Sequence, residues 1–334
     1  HAVSGRPLRE VLRTGWLFAT LSFAVSFAWV THSMVVYGGL PWPLAGIALL
    51  IMAGICGLFP AAAAVSAEWA NRHPTRPVPM EIGWPVFWIA TEYARAHLPL
   101  GLGFPWNSIG QTQYRALPIL QNADWGSFYG IGFLIVYVNA VLTGVLRRHC
   151  GWKRHLALAL CLIAGALGYG TWRLNQPVSG TEFRAGIVQG NLDLSTKWKP
   201  ENRHAVLMDQ IHLSESVIGG DPDLVMWSES SIPFIYRFAW RYRDTDNDPP
   251  GYHLAVFMET HRVPLLTGTL DMVKESLYNA AVLLRPGMPD AYYYKQKLVP
   301  FGEYIPAECV FFFVNRLVDD SIGEFSRGES TDPV

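Results

Sequence analysis

The chain has 334 residues, of which 16% are charged and 13% aromatic, with a formal net charge of −1 and a positive mean hydropathy. A net charge so near zero gives no electrostatic argument for nucleic acid, and the length favours two domains over one. Four cysteines without framework spacing or a CxxC pair argue against a disulfide scaffold, and ten histidines without HExxH give no metal signature.

Taken in chain order, the first half reads as lipid-embedded. No Asp, Glu, Lys or Arg occurs from Thr14 to Ala67. Membrane-length apolar stretches at 14–31 and 43–67 are separated by the Gly/Pro turn YGGLPWP (37–43). A third expected span covers 82–98, although it holds Glu92 and Arg95, three residues apart and so able to pair on one helix face. That pair reads either as structural or as the lining of a polar cavity, with the structural reading ahead. Spans at 125–146 and 156–172 complete five, the last flanked by Lys153, Arg154 and Arg173. With a cytoplasmic N-terminus, Arg6, Arg9, Arg13, Arg72, Arg76, Arg147, Arg148, Lys153 and Arg154 fall on the cytoplasmic side and only Arg115 opposite. That bias follows the positive-inside rule and places everything after Arg173 outside the cytoplasm. The expected division is a transmembrane helical domain at 1–174, a linker at 175–182 and an α/β domain at 183–334.

Beyond the linker the apolar period changes. Strands are predicted at 183–192, 223–230, 264–271, 278–287 and 292–300, with amphipathic helices at 197–218 and 251–262. Glu229 follows the apolar run LVMW, the strand-end position where α/β sheets gather ligands. Desolvation there is expected to raise its pKa and suit it to general base work. Lys295 follows three tyrosines and is a candidate oxyanion donor; Glu303, in VPFGEY, is a third candidate. Each residue alone is better explained as an ordinary polar position. Their order along the chain is what changes the reading.

Seven stretches occur together: GFPWNSIGQTQY (103–114), VQGNLDLSTKW (188–198), WSESSIP (227–233), TGTLD (267–271), YNAAVLL (278–284), KQKLVPFGEYIP (295–306) and FSRG (325–328). With the preceding spans, this pattern resembles the nitrilase (carbon–nitrogen hydrolase) superfamily and, within it, the apolipoprotein N-acyltransferase family. The resemblance implies a multi-pass α-helical membrane domain followed by an α/β nitrilase-like domain, an α-β-β-α sandwich. It implies an acyl chain moved from a membrane phospholipid, through a cysteine thioester, to the N-terminal amine of a diacylglyceryl-cysteine lipoprotein. Glu229 is then the general base, Lys295 the oxyanion donor and Glu303 their support, with Trp198 and Asn279 touching substrate. No cofactor, metal or nucleic acid is implied. The implied location is the bacterial inner membrane, with the catalytic domain on the periplasmic side.

The chain departs from the family pattern at the nucleophile, which lies some distance beyond FSRG in that pattern. His1 and the closing STDPV are expected to be internal points of a longer chain, and residues 1–334 alone are expected to be inactive. Cys309, in ECVFFF, is expected to be a buried or membrane-facing thiol and not the nucleophile, and Phe311–Phe313 a lipid-touching loop. The alternatives are a membrane-bound amidase of the same superfamily, a nitrilase-like membrane-anchored binding protein without catalysis, and a transporter.

Overall fold

A computed structural model of the protein describes residues 5–99, 102–239, 241, 249–305 and 325–332. The chain divides into two compact units, His1–Val178 and Ser179–Val334. Cys309 and Phe311–Phe313 lie outside the described residues.

The first unit is helical: α1 Leu8–Ser26, α2 Ala28–Val36, α3 Trp42–Asn71, α4 Met80–Ala96, α5 Leu117–Leu120, α6 Ala123–Arg147 and α7 Trp152–Leu174. Neighbours pack in the series α1 on α3, α3 on α4, α4 on α6 and α6 on α7. The burial pattern along α3 inverts that of a water-soluble helix. Ala53, Cys56, Gly57, Ala61 and Ala64 are buried, while Ile47, Leu50, Ile51, Ile55 and Leu58 are exposed. Small residues facing a helix and large apolar residues facing outward are what lipid surroundings favour, because close backbone approach drives helix association there. At Gly57 the approach is tight enough that a Cβ would meet Thr20 Oγ1 of α1 at 2.6 Å. The α1–α3 seam is also tied by Trp16 Nε1, which donates to the Gly54 carbonyl at 2.8 Å.

Three helices, α3, α6 and α7, are long and apolar enough to cross a membrane. The expected first span at 14–31 is not one helix. It breaks at Phe27, where α1 and α2 meet at a 50° bend, and the pair counts as a fourth crossing only if taken together. The expected span at 82–98 corresponds to α4, which has 17 residues.

Glu92 and Arg95 of α4 are both buried, and their closest charged atoms are 4.0 Å apart. Their shorter contacts go to the 104–109 segment. Arg95 Nη1 donates to the carbonyls of Phe104 and Trp106, each at 2.7 Å, and Glu92 Oε1 accepts from the Ile109 amide at 2.9 Å. The pair therefore anchors an irregular loop whose backbone groups need partners in an apolar surround. That favours the structural reading over a cavity lining.

The second unit is a mixed sheet with helices packed on it. Its elements are β1 Ala185–Val188, α8 Leu194–Lys197, α9 Arg203–Ile218, β2 Leu224–Trp227, β3 Ile232–Ile235, α10 Pro250–His261, β4 Leu265–Val273, β5 Ser276–Leu284 and β6 Ala291–Tyr294. Strand order is β1-β2-β4-β5-β6, with β3 pairing β4. The β1/β2, β2/β4 and β3/β4 pairs are parallel, whereas β4/β5 and β5/β6 are antiparallel. Helix α9 lies against β1, β2 and β3, with α10 beside it. Between them sits a core of Leu207, Ile211, Val225, Trp227, Leu254, Phe257, Leu265 and Val282. Trp227 Nε1 donates to Ser214 Oγ of α9 at 2.8 Å, so the one polar atom of a buried indole is satisfied.

Two boundaries and one strand differ from expectation for local reasons. The helix predicted at 197–218 starts at Arg203, because Pro200 holds Lys199 extended (ψ 129). The strand predicted at 292–300 stops at Tyr294, and Val299–Glu303 folds into a turn with Phe301 at φ 60. Strand β3 was not predicted at all; four residues containing Pro233 carry too weak a period to read.

Candidate active site

The sheet brings Glu229, Asn279, Lys295 and Glu303 to one place. Glu229 lies two residues beyond β2, on a turn completed by Ser230 in the left-handed region (φ 54). That turn rests on β4 at Gly268, whose amide donates to the Ser228 carbonyl at 3.3 Å. A Cβ at 268 would come within 2.6 Å of Glu229 Cα and nearer still to the Ser230 amide nitrogen. Glycine in TGTLD is therefore a requirement of close backbone approach.

Asn279 faces Leu270 across the β4/β5 ladder, and its carbonyl accepts from the Lys295 amide at 2.9 Å just beyond β6. Lys295 Nζ donates to Glu229 Oε1 at 3.0 Å and to Glu303 Oε1 at 2.9 Å. Asn279 Nδ2 donates to the same two oxygens, at 2.7 Å and 2.8 Å. Glu303 Oε2 accepts from the Val299 amide at 2.7 Å, so the turn of VPFGEY closes on its own carboxylate. FSRG packs onto the same ends. Phe325 N donates to the Glu303 carbonyl, Ser326 N to Leu277 and Gly328 N to Lys295. A Cβ at 328 would stand 2.8 Å from the Tyr294 carbonyl carbon, which accounts for the glycine.

The electrostatics follow from these contacts. Burial pushes the Glu229 carboxyl up, but hydrogen bonds from Asn279 and Lys295, with the charges of Lys295 and Lys197, outweigh it and hold the group below its ordinary value. The predicted rise is thus reversed, because Glu229 remains 65% exposed and has an ammonium in contact. For Lys295, burial pulls down, and the hydrogen bonds to Glu303 and Glu229 more than offset it. This is a carboxylate kept charged and an ammonium kept protonated at neutral pH.

A second cluster braces the sheet beside the site. Arg237 grips the fully buried Asp271 with two hydrogen bonds, 2.9 and 2.8 Å, and Tyr294 donates to Asp271 Oδ2 at 2.8 Å. Tyr294 is the residue before Lys295. Burial and its bond to Asp271 push the Tyr294 phenol up to about 12, so it stays a donor.

Of the residues named from sequence, Glu229, Lys295 and Glu303 are in direct contact. Asn279 bridges the two carboxylates through its Nδ2. Trp198, just beyond α8, is 39% exposed, its ring 5.7 Å from the Lys197 ammonium. Lys197 itself was missed. Its Nζ donates to the Glu229 backbone carbonyl at 3.3 Å, and burial pulls its pKa down against the raising charge of Glu229. The signal available in sequence was its place within STKW, one residue from the Trp already singled out. The described cysteines Cys56, Cys150 and Cys161 all belong to the helical unit, and among the described residues no group of three or more metal-ligating side chains occurs.

Residues 1–141 match the family described as apolipoprotein N-acyltransferase N-terminal domain. Over 96% of its length the chain is 33% identical to an apolipoprotein N-acyltransferase of Geobacter metallireducens, of which it covers 61%. It is 28% identical to one from Azotobacter vinelandii (98% of the chain, 62% of the relative) and 26% identical to one from Shewanella oneidensis (95% and 61%). The chain thus spans about three fifths of the length of these curated relatives. Among solved structures, a carbon-nitrogen hydrolase from Helicobacter pylori aligns with 44% of the chain and 45% of its own, at 16% identity and TM-score 0.27. An N-terminal amidase with an Asn-Glu-Ala peptide aligns with 35% of the chain and 29% of its own, at 17% identity and TM-score 0.24. Along nearly its whole length the chain is thus similar in sequence to apolipoprotein N-acyltransferases, and over residues 1–141 to the N-terminal domain of that family.

Proposed function

We propose that this protein moves an acyl chain from a membrane phospholipid to the N-terminal amine of a diacylglyceryl-cysteine lipoprotein, through a cysteine thioester. The observation that carries the site assignment is the Lys295 ammonium, within 3.0 Å of Glu229 and 2.9 Å of Glu303. The names of the relatives support lipoprotein N-acylation as the reaction. The apolar helices of the first unit support a membrane setting, in which both lipid substrates reach the site without crossing water.

In this reading Glu229, kept charged by Lys295, takes the thiol proton as the thiolate attacks the ester carbonyl of the phospholipid. Lys295 donates to the oxyanion of the tetrahedral intermediate, and the lysophospholipid alkoxide leaves with the proton returned by Glu229. In the second half the lipoprotein amine attacks the thioester carbonyl, Glu229 accepts the amine proton, and the thiol is regenerated. Since the thioester conserves the reactivity of the ester, no nucleotide is consumed. Glu303 and Asn279 hold Lys295 and Glu229 in register.

The test uses the full-length protein in vesicles containing a phospholipid with a radiolabelled sn-1 chain. Glu229→Gln and Lys295→Ala should each abolish labelling of the protein and transfer to a diacylglyceryl peptide, while insertion into membranes is unchanged. Thioester formation at the wild-type rate in either variant sinks the assignment. Solute flux without transfer points to the transporter alternative instead.

A further inference from the structure

The charges around Glu229 balance only when a residue outside the Glu–Lys–Glu set is included. One ammonium, Lys295, is shared between two carboxylates, Glu229 at 3.0 Å and Glu303 at 2.9 Å. The next cation is Lys197 at the end of α8, half-buried, with its Nζ 3.3 Å from the backbone carbonyl of Glu229. Among the described residues it makes no carboxylate ion pair. Its other neighbour is the Trp198 ring, a weak partner for a cation in part desolvated. Holding a lysine there costs desolvation and rotamer freedom, which a solvated lysine of a surface helix avoids.

We propose that Lys197 is a positioning residue of the acyl-transfer site, fixing the Glu229 turn through its backbone carbonyl and supplying the second positive charge beside two carboxylates. The inference rests on the reading of Glu229 as the general base. Beside the packing of the turn on Gly268, two features leave it open to such a tether. Ser230 holds a left-handed conformation unusual for a residue with a side chain (φ 54), and the Glu229 carboxyl is 65% exposed, so packing alone does not fix it. Lys197 reaches this turn from a different element, α8, and so reports on the placement of the STKW segment against β2. Its positive charge is also one of the influences that keep the Glu229 carboxyl below its ordinary value.

The sign of the expected effect follows. A general base works only while ionised, so activity falls as pH drops through the Glu229 pKa. Removing a neighbouring positive charge moves that pKa up, and the acidic limb of the rate profile moves up with it.

The experiment compares full-length wild type, Lys197→Met, Lys197→Arg and Glu229→Gln in phosphatidylethanolamine vesicles carrying a radiolabelled acyl chain, across pH. Expected are a fall of about tenfold in acyl-enzyme formation for Lys197→Met, the size of one lost charge-assisted hydrogen bond, and an acidic limb displaced to higher pH. Lys197→Arg should restore both. A Lys197→Met protein with the wild-type rate overturns the proposal, as does one that loses rate with its acidic limb unmoved. Should Lys197→Met fail to insert, Lys197→Arg decides alone: near wild-type rate and limb support the proposal, and a loss as large as tenfold overturns it. Glu229→Gln separates the two levels, since activity retained there defeats the site reading itself.

Discussion

Gly268 of β4 lies against Glu229 so closely that a methyl group at 268 would stand 2.6 Å from the Glu229 Cα. The turn carrying the proposed base and the strand beneath it are therefore one packed unit. Gly268→Ala is expected to push the 228–230 turn off the sheet, destabilising the second unit by about 1–3 kcal/mol, as overpacking does. Acyl transfer should fall further than stability, because the displaced group is Glu229. Thermal unfolding and transfer assays on the full-length protein check both; a variant with unchanged activity would mean the turn has slack that the close approach does not show.

Asp271 is fully buried, and its charge is matched by Arg237, whose side chain is 44% exposed. Breaking a buried pair by removing one partner commonly costs about 3–5 kcal/mol, and the exposure of Arg237 reduces that to about 2–3 kcal/mol here. Arg237→Met should therefore be destabilising, and Asp271→Asn less so, because the amide still accepts from Tyr294. If chemical denaturation ranks them the other way, the carboxylate charge of Asp271 contributes beyond its pairing with Arg237.

The Glu229–Lys295 contact predicts a window of stability in pH. Glu229 titrates below its ordinary value of 4.5 in the folded state, so its contribution is complete above 4.5 and is lost as pH falls through the lowered value. Lys295 titrates above its ordinary 10.5, so its contribution is complete below 10.5 and is lost as pH rises through the raised value. Melting temperature should be level between these limits and fall outside them. Glu229→Gln should reduce the acidic decline and Lys295→Met the alkaline one. Identical pH profiles for wild type and both variants would exclude a contribution from this pair.

Orientation across the membrane is testable with thiols already present. Under the expected topology, the exposed Cys150 between α6 and α7 faces the cytoplasm. A cysteine at the fully exposed Val178 faces the other side. A membrane-impermeant maleimide applied to spheroplasts should label Val178→Cys and leave Cys150 unreacted until the membrane is opened. The reverse pattern would invert the topology and place the site in the cytoplasm.

Much of this protein is legible in sequence because the signals are local. The charge-free run from Thr14 to Ala67 reads as lipid-facing helix wherever it occurs, since hydropathy is a property of consecutive residues. Glu229 and Lys295 stand out because each follows an apolar or aromatic run, and the order of the motifs around them is written along the chain. Other features depend on groups distant in sequence. The bend at Phe27, the anchoring of the 104–109 loop by Glu92 and Arg95, and Asn279 between two carboxylates all arise where separate elements meet. Direction of titration is the clearest case. From sequence, Glu229 at a strand end should be desolvated and titrate high; in the fold, hydrogen bonds from Asn279 and from Lys295, 66 residues away and at 3.0 Å, turn the shift downward. Sequence alone determined which segments are apolar enough to seek lipid and which polar residues stand out as candidates for a site. Only the tertiary structure decided which charges touch, because Coulomb and hydrogen-bond energies depend on distances that adjacency along the chain does not set.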